Sequence, residues 1–132
     1  MIGSGPAGQK GAIAAAKLGK DVAIIDREKT VGGVRLHGGT IPSKTLREAI
    51  LHLTGFRQRS FYGADYAVKE RISIADLQLR ILTVVEREMA VMRGQFRRNG
   101  VALFGGTARF KDPHTLEVDG PSGTQTLMAD HV

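Results

Sequence analysis

Residues 1–26 read MIGSGPAGQKGAIAAAKLGKDVAIID, and this stretch decides the fold. It opens with glycines in the spacing G-x-G-x-x-G: Gly3, Gly5 and Gly8. An alanine-rich run follows and ends at Gly19, which predicts a helix of small residues that packs closely on a sheet. Residues 21–26 then form a short apolar run of the kind found in buried parallel strands. The stretch therefore predicts the helix and second strand of a βαβ unit whose first strand is almost absent.

Glycines in this spacing are typical of turns that bind dinucleotides. The first permits the tight turn, the second lets a diphosphate approach the backbone, and the third lets the helix pack on the strand. The helix N-terminus then offers N–H groups and a favourable dipole to an anion. Asp26 follows Gly3 by 23 positions, near the roughly 20-residue spacing of a ribose-binding carboxylate. Such a carboxylate accepts hydrogen bonds from both ribose hydroxyls and repels a 2′-phosphate, whereas an isolated Asp26 would suit a surface turn equally well.

The middle of the chain is predicted to be helical between two connections. Residues 27–39 contain two glycine pairs and are predicted to form a loop. Thr40 begins a predicted helix that ends near Phe56, with a proline in its first turn, where a missing N–H costs little. Residues 57–71 are predicted to be a polar connection.

The C-terminal half changes from a long helix to short strands. Ser73 and Asp76 have the spacing of a capping box, and the helix that they open carries one apolar stripe and ends near Asn99. From Val101 onward, short strands alternate with Gly and Pro turns. The pattern predicts a small β-meander.

The composition excludes several classes of protein. The chain has 19 Lys and Arg against 13 Asp and Glu, but these charges are scattered and only 5% of residues are aromatic, so a nucleic-acid surface is not expected. Cysteine is absent and the four histidines match no ligand spacing, so we expect no disulfide and no metal site. No apolar run reaches the roughly 20 residues of a membrane-spanning helix, and no signal peptide opens the sequence. We therefore expect a cytoplasmic protein without a membrane or nucleic-acid partner.

Residues 31–44 read VGGVRLHGGTIPSK and carry a more specific signal. They resemble the G-G-x-C-x-x-x-x-C-I-P-S-K signature of the flavoprotein disulfide reductase family, which includes dihydrolipoyl dehydrogenase, glutathione reductase and mercuric reductase. The resemblance covers nearly the whole chain. The two redox cysteines of the signature fall at Arg35 and Thr40, neither of which can form a thiolate. The dithiol chemistry of the family is therefore excluded here.

A threonine in place of the second cysteine resembles the soluble pyridine nucleotide transhydrogenases, a group within this family. Residues 45–49 and 112–116 resemble the same group. The resemblance implies FAD as cofactor and NAD(P)(H) as substrates, with hydride passing from NADPH to NAD⁺ through the flavin and without a disulfide. It also implies that the intact protein is a homodimer or a higher homo-oligomer. Arg35 departs from the pattern, because these transhydrogenases often keep a cysteine at that position.

The resemblance also implies a set of cofactor-binding residues, and we assign no catalytic side chain. The set is Gly3, Gly5, Gly8, Asp26, Arg27, Gly32, Gly33, Thr40, Lys44 and Ala108. Gly32 and Gly33 would contact the ribose and pyrophosphate, and the backbone of Ala108 would contact the adenine. Thr40 would pack near the face of the flavin. Lys44 would lie near the reactive nitrogen of the flavin, where its positive charge would tune the cofactor; the alternative is an exposed lysine in the first turn of a helix.

The fold expected from all these features is α/β, a partial Rossmann-like FAD-binding domain with a parallel sheet, helices and a small β-meander. Residues 1–132 would be one partial FAD/NAD(P)-binding domain without most of its first strand and its C-terminal part. Alone, this part would be catalytically inactive and would bind FAD weakly or not at all. Two alternatives stay open: a cysteine-less oxidoreductase related to dihydrolipoyl dehydrogenase or mercuric reductase, and a non-catalytic nucleotide-binding module.

Overall fold

The computed structural model describes residues 1–28 and 30–132, which divide into two compact units. The first unit combines Met1–Arg35 with Met89–Val132, and the second unit is Leu36–Glu88. In the part of the chain that the structure describes, every helix is too short or too polar to span a lipid bilayer.

A small parallel sheet forms the base of the first unit. Strand β1 (Ala23–Asp26) pairs in parallel with β2 (Ala102–Gly105). At the other edge of β1, Ile2 forms an isolated parallel bridge with Ile25, flanked by backbone hydrogen bonds of 2.7 and 3.0 Å. The predicted βαβ arrangement is confirmed, with this bridge in place of a full first strand.

Helix α1 (Pro6–Lys17) joins Ile2 to β1. It begins with a proline, whose missing N–H costs nothing at this position, and it buries two small residues, Gly8 and Ala12. Gly19 has φ 75° and follows the C-cap of the helix, a conformation that glycine adopts without steric cost. The predicted helix and its terminating glycine are both confirmed.

The antiparallel strands after β2 form the predicted meander. They are β3 (Thr107–Asp112), β4 (Thr115–Gly120) and β5 (Gly123–Met128), in the order β3-β4-β5. Leu116 and Val118 of β4 are buried with Ile25 of β1, so the meander and the parallel sheet share one core. A Cβ on Gly120 would lie 2.4 Å from the carbonyl oxygen of Gly105. Glycine there lets the two backbones cross.

The second unit is helical. It contains α3 (Thr40–Leu53) and α4 (Arg59–Tyr62) together with the first part of α5 (Ile74–Arg98). Helix α3 begins at Thr40 as predicted. The N–H groups of Val68 and Lys69 both donate to the carbonyl of Leu53 at 3.1 Å, which ties the connection after α4 to the end of α3.

Helix α5 begins with the predicted capping box. The hydroxyl of Ser73 accepts a hydrogen bond from the N–H of Asp76 (3.2 Å), and Oδ2 of Asp76 accepts one from the N–H of Ser73 (2.8 Å). Two N–H groups that the first turn would otherwise leave unpaired are thus satisfied. In the first unit, the last turns of α5 bury two residues of the predicted apolar stripe, Met92 and Phe96.

Short helices correct the two predicted connections. Helix α2 (Gly33–His37) lies in the segment predicted as the loop 27–39, in which Lys29 is outside the described residues. Helix α4 lies in the segment predicted as the connection 57–71. Among the residues of these two helices, all of them described, only Leu36 is buried. One turn of helix shows no repeat of apolar residues, so the hydrophobic periodicity of the sequence could not detect either one.

Candidate dinucleotide site

The turn before α1 is shaped by backbone conformations rather than by side-chain caps. Gly3 has φ 94°, a region that side chains disfavour. Gly5 is the N-cap of α1, and no side chain of the described residues caps it. Within the described part of the chain, the first N–H groups of the helix have no side-chain acceptor, and they point with the positive end of the helix dipole toward any anion placed at the turn.

The glycines of this turn are needed for different reasons. A Cβ on Gly8 would lie 2.0 Å from the carbonyl oxygen of Gly3, so the helix can pack on the turn only with glycine at position 8. A Cβ on Gly33 would lie 3.0 Å from the α-carbon of Gly5, and Gly33 has φ 60°. At Gly5, by contrast, a Cβ would meet none of the described residues within 4 Å apart from its two chain neighbours, and φ is −64°. The fold does not require glycine at position 5, whereas a diphosphate that approaches the backbone there does.

Asp26 lies beside this turn, held by a residue that the sequence analysis did not single out. Ser4 is fully buried, with 0% of its surface exposed. Its N–H and its hydroxyl both donate to Oδ2 of Asp26, at 2.7 and 2.5 Å. The other oxygen, Oδ1, accepts a hydrogen bond from the N–H of Glu28 at 3.0 Å. The signal that could have indicated Ser4 is a hydroxyl side chain between the first two glycines of the motif.

The environment of Asp26 keeps its side chain ionised. Burial raises the pKa of Asp26, but the hydrogen bonds from Ser4 and Glu28, with the charge of Arg27, outweigh burial and lower it overall. Hydrogen bonds that donate to a carboxylate stabilise its charged form. Asp26 therefore offers a negative, hydrogen-bond-accepting group next to the N-terminus of α1.

The glycine pair after β1 also contacts the turn. The N–H of Gly32 donates to the hydroxyl of Ser4 at 2.9 Å, and Gly32 is buried with φ 119°. Gly33 approaches Gly5 as described above. The first unit thus brings six predicted site residues into one cluster around Ser4 and the start of α1: Gly3, Gly5, Gly8, Asp26, Gly32 and Gly33.

The other predicted site residues lie outside this cluster. Arg27 is exposed and its Nε is 3.9 Å from a carboxylate oxygen of Glu28. Ala108 lies on β3, where it pairs with Val118 and packs on the shared core. Thr40 and Lys44 are exposed residues in the first turns of α3, which belongs to the second unit. The roles predicted for these four residues stay predictions.

Comparison with known proteins gives consistent matches over the whole chain. The family model described as pyridine nucleotide-disulphide oxidoreductase matches residues 1–132. A soluble pyridine nucleotide transhydrogenase from Mycobacterium bovis BCG is 53% identical over 100% of this chain and 29% of its own length. One from Escherichia coli O1:K1 is 40% identical over 98% of this chain and 28% of its own length.

Solved structures support the fold. LpdA from Mycobacterium tuberculosis superposes with a TM-score of 0.78 at 26% identity, covering 98% of this chain and 29% of that protein. The expected α/β FAD-domain fold is confirmed by this likeness and by the family match. The chain spans less than a third of the length of the curated relatives that it matches.

Proposed function

This chain belongs to the pyridine nucleotide-disulphide oxidoreductase family, and we propose that it is the FAD-binding part of a soluble pyridine nucleotide transhydrogenase. The intact protein would transfer hydride from NADPH to NAD⁺. When bound, FAD supplies the two-electron chemistry that connects the two nicotinamides. The residues of this chain supply binding, orientation and electrostatics.

The observation that carries this proposal is the open position at Gly5. Two neighbouring glycines are favoured by the protein itself, since a Cβ at Gly8 would collide with a backbone oxygen and Gly33 has a positive φ beside a tight backbone contact. At Gly5 the described residues, its two chain neighbours apart, leave room for a side chain. The position is nevertheless a glycine, and it is the N-cap of α1, where the helix presents its N–H groups. An adenine dinucleotide would use this space, with its diphosphate at the helix N-terminus.

Each of the other predicted residues can be assigned to one part of an FAD molecule by the chemistry of its side chain or backbone. Asp26 provides the acceptor for a ribose hydroxyl, and the backbone at Gly32 and Gly33 borders the same turn. We assign the backbone of Ala108 to the adenine, and Thr40 and Lys44 to the isoalloxazine end of FAD. Arg27 contributes positive charge at the rim of the site, where its side chain is 79% exposed.

The absence of cysteine separates this proposal from its nearest alternative. Arg35 and Thr40 stand where the signature of the family has its redox pair, and the whole chain contains no cysteine. A dihydrolipoyl dehydrogenase or mercuric reductase needs a thiolate to exchange electrons with its substrate. A transhydrogenase passes hydride between nicotinamides through the flavin, so it needs no dithiol in this chain. We also propose that the intact protein is cytoplasmic and forms a homo-oligomer.

A chimera tests the activity. This chain would replace the matching segment of the Mycobacterium bovis relative, and the purified chimera would be assayed with NADPH and an NAD⁺ analogue, and separately with lipoamide and NADH. We expect transhydrogenation, at a rate within about tenfold of the unmodified relative, and no lipoamide activity. Lipoamide turnover would favour the dihydrolipoyl dehydrogenase alternative. A folded chimera that binds FAD and transfers no hydride would contradict the proposed activity.

A further inference from the structure

Ser4 connects three parts of the first unit at one buried point. Its hydroxyl donates to Oδ2 of Asp26 and accepts from the N–H of Gly32, and its own N–H donates to the same Oδ2. These bonds join the turn before α1, the end of β1 and the loop after it. Ser4 itself is completely buried, and its bond from Gly32 lies in the interior, whereas its two bonds to Asp26 are partly buried.

This arrangement restricts how Asp26 can meet a ligand. An ionised carboxylate has about four lone-pair sites. Among the described residues, the two donors of Ser4 and the N–H of Glu28 occupy three of them. Two of these bonds fall on Oδ2, so this oxygen is turned into the protein. Counting donors from the described residues alone, Oδ1 keeps the remaining site.

We propose that Ser4 is a positioning residue that orients Asp26 so that Oδ1 accepts a hydrogen bond from one hydroxyl of the adenosine ribose. This proposal rests on the proposed function, since it assumes an adenine dinucleotide at the turn. Without the Ser4 hydroxyl, Asp26 would keep its charge and the bond from the N–H of Ser4. It would lose the second bond that fixes its rotation. Binding of the sugar would then have to order the Asp26 side chain, and the lost conformational entropy would weaken the contact.

The test measures discrimination between two ligands that differ only in the ribose hydroxyls. The apo form of the chimera described above would be titrated with ADP and with 2′,3′-dideoxy-ADP, in the unaltered sequence and in Ser4→Ala. We expect the unaltered chimera to bind ADP about tenfold more tightly than the dideoxy analogue, as befits a hydrogen bond to a charged group. In Ser4→Ala this ratio should fall below about threefold, because the ligand hydroxyl and the Ser4 hydroxyl act together. A merely structural role would weaken both ligands equally and leave the ratio unchanged.

Ser73→Ala is the matched control. Ser73 donates through its N–H and its hydroxyl to Oδ2 of Asp76, the same bonding pattern in the second unit. This variant should leave the ratio at its unaltered value. Ser4→Cys has nearly the same volume and a weaker donor, so it gives the comparison if Ser4→Ala is too unstable to titrate. An unchanged ratio in a folded Ser4 variant would overturn the proposal. A chimera that binds neither ADP nor FAD would instead contradict the proposed function.

Discussion

The two units of this chain contain the same serine–aspartate pair in different settings. In the first unit, Ser4 donates to Oδ2 of Asp26 through its N–H at 2.7 Å and its hydroxyl at 2.5 Å. In the second unit, Ser73 makes the same two bonds to Oδ2 of Asp76, both at 2.8 Å. The first pair is separated by 22 positions and the second by three.

The two pairs differ in the N–H group that donates to the serine hydroxyl. The hydroxyl of Ser4 accepts from a buried loop residue, Gly32, whereas that of Ser73 accepts from the N–H of Asp76 within its own helix. Asp76 is also paired with Lys69 at 2.6 Å. The bond to Lys69 is the largest of the causes that hold the pKa of Asp76 far below its usual value, followed by the bonds from Ser73. The local pair begins a helix, and the long-range pair joins the turn before α1 to the end of β1 and the loop after it.

The largest expected effect comes from breaking the turn that brings Ser4 to Asp26. In Gly8→Ala, the new methyl would lie 2.0 Å from a backbone oxygen, so we expect a loss of about 3 kcal/mol of unfolding free energy in urea. Gly5→Ala is its control, because a methyl there meets none of the described residues within 4 Å apart from its two chain neighbours. We expect Gly5→Ala to fold normally and, in the chimera, to lose FAD binding. Equal stability of the two variants would contradict the packing argument.

Replacing each aspartate by asparagine should affect ADP binding at only one of the two pairs. In the chimera, we expect Asp26→Asn to weaken ADP binding by about 1.4 kcal/mol, or roughly tenfold in Kd, because the charged acceptor of the ribose hydroxyl is lost. Asp76→Asn should leave the Kd for ADP unchanged, since that carboxylate faces a lysine and a helix start. Isothermal titration of both variants measures the difference. A similar loss of affinity in both would show that general destabilisation is responsible.

The stability that Asp26 contributes should depend on pH in one direction. Its pKa is lowered in the folded chain, so the contribution is fully present above the unfolded pKa of about 3.9 and is lost as the pH falls through the folded pKa. The difference in unfolding free energy between the unaltered chain and Asp26→Asn should therefore be constant near neutrality and shrink below about pH 4. Urea unfolding from pH 7 downward measures it. A difference that grew on acidification would contradict the direction of the pKa shift.

The smallest expected effect is the loss of the helix cap. Ser73→Ala should cost about 1 kcal/mol of unfolding free energy, the usual contribution of an N-cap hydroxyl. In the chimera, its Kd for FAD should equal that of the unaltered protein. Circular dichroism during urea unfolding, followed by FAD titration, measures both quantities. Weaker FAD binding in this variant would contradict the claim that only the Ser4–Asp26 pair affects the cofactor.

The same contrast explains which features could be predicted from the sequence. The capping box at Ser73 and the glycine turn were predictable, because the interacting residues lie within a few positions of each other. Asp26 was predictable from its spacing to Gly3. Ser4 was missed because its bonds to Asp26 and Gly32 depend on how the chain returns to the turn, and no local pattern encodes that return.

The sequence signature also includes residues of the second unit, whose roles the structure does not test. Thr40 and Lys44 are placed at the start of α3 as the signature predicts, but α3 belongs to a different unit from the glycine turn. Their roles toward the flavin therefore stay predictions. Helices α2 and α4 were missed for a physical reason, since one turn of helix contains too few residues to reveal a period.

The flavin content of the purified chimera tests the central claim most directly. If the turn from Gly3 to Gly8 and the carboxylate of Asp26 hold an adenine dinucleotide, the folded chimera should be yellow and carry close to stoichiometric FAD, and Gly5→Ala should be colourless. A folded, colourless chimera would contradict the account, as would a Gly5→Ala variant that retains FAD.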